Sequence, residues 1–157
     1  MSNLDADKLK NIAKQLRGLS AKVKLIALLE KAHSEYEQNN FEDCIKTCKK
    51  ALKVEPNNPT ALRGFGCVMQ AQGNYLKAIE YYNRALEFSK NKEIEYTLIG
   101  MIYYLENNFD EAIKYFNFAI DINDDYDSAY EGRNQSMLER HVDILDLQDA
   151  LIRQKLF

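Results

Sequence analysis

The side chains of this sequence best suited to nucleophilic or metal chemistry are three cysteines and two histidines, and their spacing supports neither. Cys44 and Cys48 are four residues apart. On a helix that separation gives no ready disulfide, and the two-residue spacing of cysteine zinc motifs is missing. Cys67 has no neighbouring base that could activate its thiol. His141 lies near Asp143 and Asp146, which read as a solvated helix face; His33 stands apart from any second ligand or base. No phosphate-binding glycine loop is present, and Gly64 and Gly66 belong to a helix-packing pattern. The acids between Asp121 and Asp127 surround a turn and a helix start, where carboxylates suit capping. We expect no catalysis, no metal and no cofactor.

Composition narrows the remaining classes. Hydrophobic residues make up 46% and charged residues 29%, enough apolar matter for a folded core. Two prolines and six glycines in 157 residues are few for a strand-rich chain and favour helix. A net charge of −3 disfavours a general nucleic-acid binder. Charge is uneven: residues 1–24 carry six bases against two acids, and nine acids against four bases follow from Asp121 onward. Such asymmetry can steer partners or organise an oligomer. An odd number of cysteines, no apolar leader at the start and no span-length apolar stretch lead us to expect a reduced, cytoplasmic protein without an integral membrane segment. Asn134-Gln135-Ser136 matches a glycosylation acceptor and reads as coincidence inside a helix.

The chain repeats itself every 34 residues. Phe41, Tyr75 and Phe109 keep the step, as do Cys44, Ala78 and Ala112, and Cys48, Tyr82 and Phe116. Ala51, Ala85 and Ala119 follow, and upstream Ala32, Gly66 and Gly100; Leu28, Leu62, Tyr96 and Tyr130 reach a fourth, partial unit. Each unit reads as two helices. Asn39-Asn40, Gly73-Asn74 and Asn107-Asn108 mark the internal turns, because Asn and Gly tolerate the left-handed backbone that ends a helix. Second helices are expected over Phe41–Val54, Tyr75–Ser89 and Phe109–Ile122. Pro56-Asn57-Asn58-Pro59 breaks the chain, with Pro59 in the first turn of the next helix. The small column Ala32, Gly66 and Gly100 would let the helices of a unit cross closely, opposed by Cys44, Ala78 and Ala112. Larger residues such as Tyr82 and Phe116 would fill the space between units. One helix pair cannot bury its apolar face alone, so the units must stack.

These residues carry a family resemblance. ALRGFGCVMQAQGNYLKAIEYYNRALEF resembles the tetratricopeptide repeat almost throughout; TLIGMIYYLENNFDEAIKYFNFAIDI is similar, and the first unit matches from Phe41 onward. Departures are Lys31 and Glu35, where the family favours large apolar residues, and Lys90 and Asp124, where it often has proline. The resemblance implies an all-α, right-handed superhelical solenoid of antiparallel helix pairs. The expected organisation is an N-terminal amphipathic helix (1–24), repeats at 25–58, 59–92 and 93–126, and a C-terminal capping helix with an apolar extension (127–157).

In this family the first helices line a concave groove that binds proteins or peptides. The positions implied here are Leu29, His33 and Tyr36, then Arg63, Gly64, Cys67 and Gln70, then Leu98, Met101, Tyr104 and Leu105, with Glu131, Gln135 and Leu138 from the cap. Chaperone-tail binders of the family grip a terminal carboxylate with Lys, Asn and Arg. The matching positions hold Leu29, His33, Gly64, Ile94 and Leu98, so that ligand is not expected. The expected partner is an apolar or amphipathic segment, the chain acting as scaffold or adaptor. The layout also resembles the small chaperones of type III secretion translocators, whose repeats are more degenerate; a regulatory subunit of an enzyme complex is a further alternative. The N-terminal helix has an apolar stripe, Leu9, Ile12, Ala13 and Leu16, which could dock on the first repeat, form a dimerisation arm or touch an anionic membrane. At the other end Ile144, Leu147, Leu151 and Ile152 belong to a broad apolar face that could fold back, fill the groove or form a homodimer.

Overall fold

In a computed structural model, the backbone is described for residues 3–155 and side chains for residues 8–148. Among these residues there are seven helices and no strand: α1 (Asn3–Glu37), α2 (Phe41–Val54), α3 (Pro59–Ala71), α4 (Tyr75–Phe88), α5 (Lys92–Leu105), α6 (Phe109–Ile122) and α7 (Asp127–Lys155). They pack as antiparallel pairs, α1 with α2, α3 with α4 and α5 with α6, and α7 covers α6. First helices also touch one another, α1 on α3 and α5 on α7, whereas successive second helices make no comparable contact. The first helices therefore lie on the inside of the curve.

Local chemistry sets the boundaries. Asn39, Gly73 and Asn107 all have left-handed backbone, with φ of 59°, 73° and 57°, which reverses the chain inside each unit. At the first boundary Asn58 Oδ1 accepts the Ala61 N–H at 3.0 Å, and Pro59 occupies the first helical turn. The later boundaries lack proline and close through side chains instead. Ser89 Oγ accepts the Asn91 N–H at 3.2 Å, and Asn123 Oδ1 accepts the Asp125 N–H at 3.2 Å. Lys31 and Glu35, the polar departures in the first unit, pair with each other at 3.6 Å.

Packing follows the repeat columns, with one correction. Gly66 and Gly100 are indeed where helices approach, but the group filling the space is an aromatic ring and not the opposing alanine. A Cβ on Gly66 would fall 2.2 Å from the Tyr82 ring, and one on Gly100 3.0 Å from Phe116. Gly132 in α7 does the same on the far side of Phe116, at 2.4 Å. Tyr82 and Phe116 are thus wedged between their own unit and the next, where both are buried.

No break marks residue 24: the N-terminal segment and the first helix of the first unit are one 35-residue helix. The segment does not dock on the first repeat. Leu9, Ile12, Leu16, Leu19, Val23 and Ile26 are each more than half exposed, and among the described side chains Leu25 is the first that is buried. At the other end α7 runs straight through to Lys155 and does not fold back into the groove. Its first half is held by buried Ala129 and Ser136 and by Arg140, whose Nη1 donates to Asp110 at 2.8 Å.

Candidate functional site

The groove positions divide into two hollows separated by a filled stretch. The first lies between the first two units and measures about 130 Å³. Leu29, His33 and Tyr36 from α1 meet Arg63, Gly64 and Cys67 from α3 around it. Its remaining wall is Ala32, Thr60 and the thiols Cys44 and Cys48 from α2. The second hollow, about 370 Å³, brings Met101, Tyr104 and Leu105 of α5 against Glu131, Gly132 and Gln135 of α7, with Phe116 behind them. Leu138 does not line it and is exposed.

Two groove positions go elsewhere. Leu98 packs on the cluster of Ala78, Tyr82, Ile99 and Ile102. Gln70 accepts the Tyr82 hydroxyl at 2.8 Å, and the Cys67 sulfur is 3.5 Å from the same hydroxyl. The middle of the inner face is therefore closed by its own side chains.

Arg63 has a partner that sequence reasoning missed. Its Nε donates to Glu95 Oε1 at 3.0 Å across the boundary between the second and third units. The Glu95 side chain is fully buried, and its second oxygen has no hydrogen-bond partner. The signal was weak: a charged residue one position before Tyr96, on the face where α5 meets α3.

The three thiols are free, and all line the first hollow. Burial pushes the Cys48 thiol up to about 12, with the neighbouring Cys44 adding to the effect. Burial likewise raises Cys44 and Cys67. Protonated thiols are poor nucleophiles and poor metal ligands. Among the described residues no group of three or more His, Cys, Asp or Glu side chains is arranged to hold a metal. No described helix is long and apolar enough to cross a membrane.

Outside the inner face, Ile144 and Leu147 of α7 are exposed. The side chains of Leu151 and Ile152 lie outside the described residues. The apolar stripe of α1 is longer than the first helical turns suggested and continues to Ile26.

Family models described as tetratricopeptide repeat match residues 24–91 and 94–126. No curated protein matches the chain. Among solved structures, a Thermobaculum terrenum O-GlcNAc transferase mutant aligns with 74% of this chain at TM-score 0.67 and 21% identity. This chain spans only 22% of that protein. Pseudomonas aeruginosa pilF aligns with 78% of the chain at TM-score 0.70 and 18% identity, over 56% of its own length. The first repeat domain of Spaghetti (RPAP3), solved with an HSP90 peptide, aligns with 73% at TM-score 0.64 and 16% identity, over 91% of its length. At these identities the likeness is one of fold.

Proposed function

The chain belongs to the tetratricopeptide repeat family, and on that premise we propose that it is a protein-interaction module, a scaffold or adaptor that binds an apolar or amphipathic peptide segment on its inner face. The observation that carries this reading is the pair of open hollows on the first helices, each lined by apolar side chains together with a few polar groups. Such a surface suits a segment held by spaced side-chain anchors. The RPAP3 domain holds its HSP90 peptide on the same fold. An acidic chain terminus is a poor ligand here, because Leu29, His33, Gly64, Ile94 and Leu98 stand at the clamp positions. A secretion-type chaperone or the regulatory subunit of an enzyme complex would use the same surface. Thiols kept protonated and unpaired suit the reducing cytoplasm, where we place the protein. The work done is binding and not catalysis.

The test is selection from a displayed random-peptide library on purified protein. Apolar or amphipathic peptides should emerge whose binding is lost in Met101→Asp and Leu105→Asp but kept in Leu76→Asp on the second-helix face. Peptides insensitive both to these substitutions and to a Gly64→Leu change that fills the first hollow would overturn the reading.

A second reading, compatible with the first, is self-association through α1. The spacing of Leu9, Ile12, Leu16, Leu19, Val23 and Ile26 alternates three and four residues without interruption, and all six are exposed. That is the seam of a coiled coil, which a second copy of the same helix would match.

A further inference from the structure

The 34-residue columns explain why the first hollow exists. The wedge position between units is Cys48, Tyr82 and Phe116 in succession. The residue it faces on the next first helix is Gly64, Leu98 and Gly132, again 34 apart. At the second junction a ring meets a leucine, and the space is filled. At the third the tip of a ring meets a glycine, Phe116 on Gly132. At the first, a thiol meets a glycine: Cys48 Sγ would stand 2.7 Å from a Cβ on Gly64. This junction has the glycine seat but not the ring, and the shortfall is the hollow of about 130 Å³. A cavity of roughly 150 Å³ in an apolar core accepts a benzene molecule.

We propose that this hollow is an anchor site for the aromatic side chain of a bound peptide, phenylalanine or tyrosine, which completes the Tyr82–Phe116 column from outside. The proposal rests on the groove-binding reading and adds the chemistry of one anchor. The hollow is lined by first-helix residues of the first two units, His33 and Thr60 among them, along which a peptide would pass. Ala32, Cys48 and Cys67 are among the small residues that line it, and burial raises both thiols above their ordinary value. Sulfur against a ring edge is a favourable contact, and small residues leave the ring its full thickness. Arg63, which also lines the hollow, already donates its Nε to Glu95.

The experiment uses the full chain and two probes, N-acetyl-L-phenylalanine methylamide and its alanine counterpart, followed by amide chemical shifts in NMR. The phenylalanine probe should produce saturable shifts at Ala32, Cys48, Gly64 and Cys67 in the millimolar range, and the alanine probe should not. Cys48→Phe puts the ring of the other units into the hollow, but against Ala32, which has the Cβ that Gly66 and Gly100 lack, so it should lose those shifts at some cost in melting temperature. Cys48→Leu fills the hollow less tightly and should weaken binding at least tenfold if the ring proves too large to fold. Absence of the shifts in the natural chain, or their persistence in both variants, overturns the proposal. The library selection separates the two ideas. Peptides that need Met101 and Leu105 but ignore Cys48→Phe would leave the groove reading standing without the anchor. A probe that fills the hollow while no peptide selects the groove would do the reverse.

Discussion

Arg63 does two things at once: its body walls the first hollow, and its guanidinium neutralises a fully buried carboxylate. Removing it should therefore look worse than the loss of a contact. Arg63→Met leaves the Glu95 charge buried without its partner, a change that costs about 3–5 kcal/mol. The double variant Arg63→Met with Glu95→Leu removes both charges and should recover most of that loss. Denaturant midpoints of the three proteins measure it, and a double variant no better than the single would mean that the pair is not coupled. Cys48 carries the second residue-scale prediction. Its thiol stays protonated up to about 12 when folded, against an ordinary value of 9.0. Between those values the unfolded chain has released a proton that the folded chain keeps, so this group's contribution to stability is full below pH 9 and fades as pH rises towards 12. Unfolding midpoints of the natural chain should drop more steeply than those of Cys48→Val across that window. Below pH 9 the two slopes should coincide.

The helix pair is the scale at which the repeat is most legible. Periodicity placed the internal turns at Asn39, Gly73 and Asn107 because left-handed backbone selects those residues, and the same residues adopt it. It could not say which side chain fills the space over Gly66, since both Ala78 and Tyr82 lie on α4 near it. Ring size decided: the alanine column lets the axes close, and Tyr82 takes the gap left by the missing Cβ. Gly66→Ala therefore presses on the ring and should cost about 1–3 kcal/mol by overpacking. Gly18→Ala, with nothing within 4 Å, makes a control in an exposed helix, and there alanine should stabilise by up to about 1 kcal/mol. The α1 stripe was legible only in its first half. Its coiled-coil spacing emerges once Leu19, Val23 and Ile26 are seen to be exposed and not part of the first repeat. The residues flanking the seam on one side, Ala13, Ser20 and Ala27, are small and uncharged, and those on the other side are Lys8, Gln15 and Lys22. Sedimentation should show a concentration-dependent oligomer that becomes monomeric in Leu16→Asp with Leu19→Asp, while the circular dichroism of the repeats is retained. A natural chain that remains monomeric at high micromolar concentration would remove the seam from consideration.

At the scale of the whole molecule, a stacked-repeat chain is held together by nearest neighbours. No long-range wiring joins the first unit to the last, and this is why local columns in the sequence carried so much of the architecture. Two features escaped that logic. The Arg63–Glu95 pair links two units through a carboxylate that stands where the 34-residue step otherwise has the buried alanines Ala61 and Ala129. The hollow at the first junction is an absence, visible only when three junctions are compared in space. The same nearest-neighbour rule divides α7 into a part the stack needs and a part it does not. Up to residue 140, Ala129 and Ser136 are buried, Gly132 seats Phe116, and Arg140 reaches Asp110. Beyond it Val142, Ile144, Leu145 and Leu147 are exposed. A chain ending at Arg140 should keep its unfolding midpoint, with a change below about 0.5 kcal/mol, as for surface alterations generally. A chain ending at Tyr126 strips the cover from Phe116, Ala112 and Ala119 and should lose several kcal/mol, about the cost of emptying a large aromatic site. If ending the chain at Arg140 instead destabilises it and also abolishes concentration dependence in sedimentation, the exposed face of α7 is the self-association surface, and the seam of α1 is left for another partner.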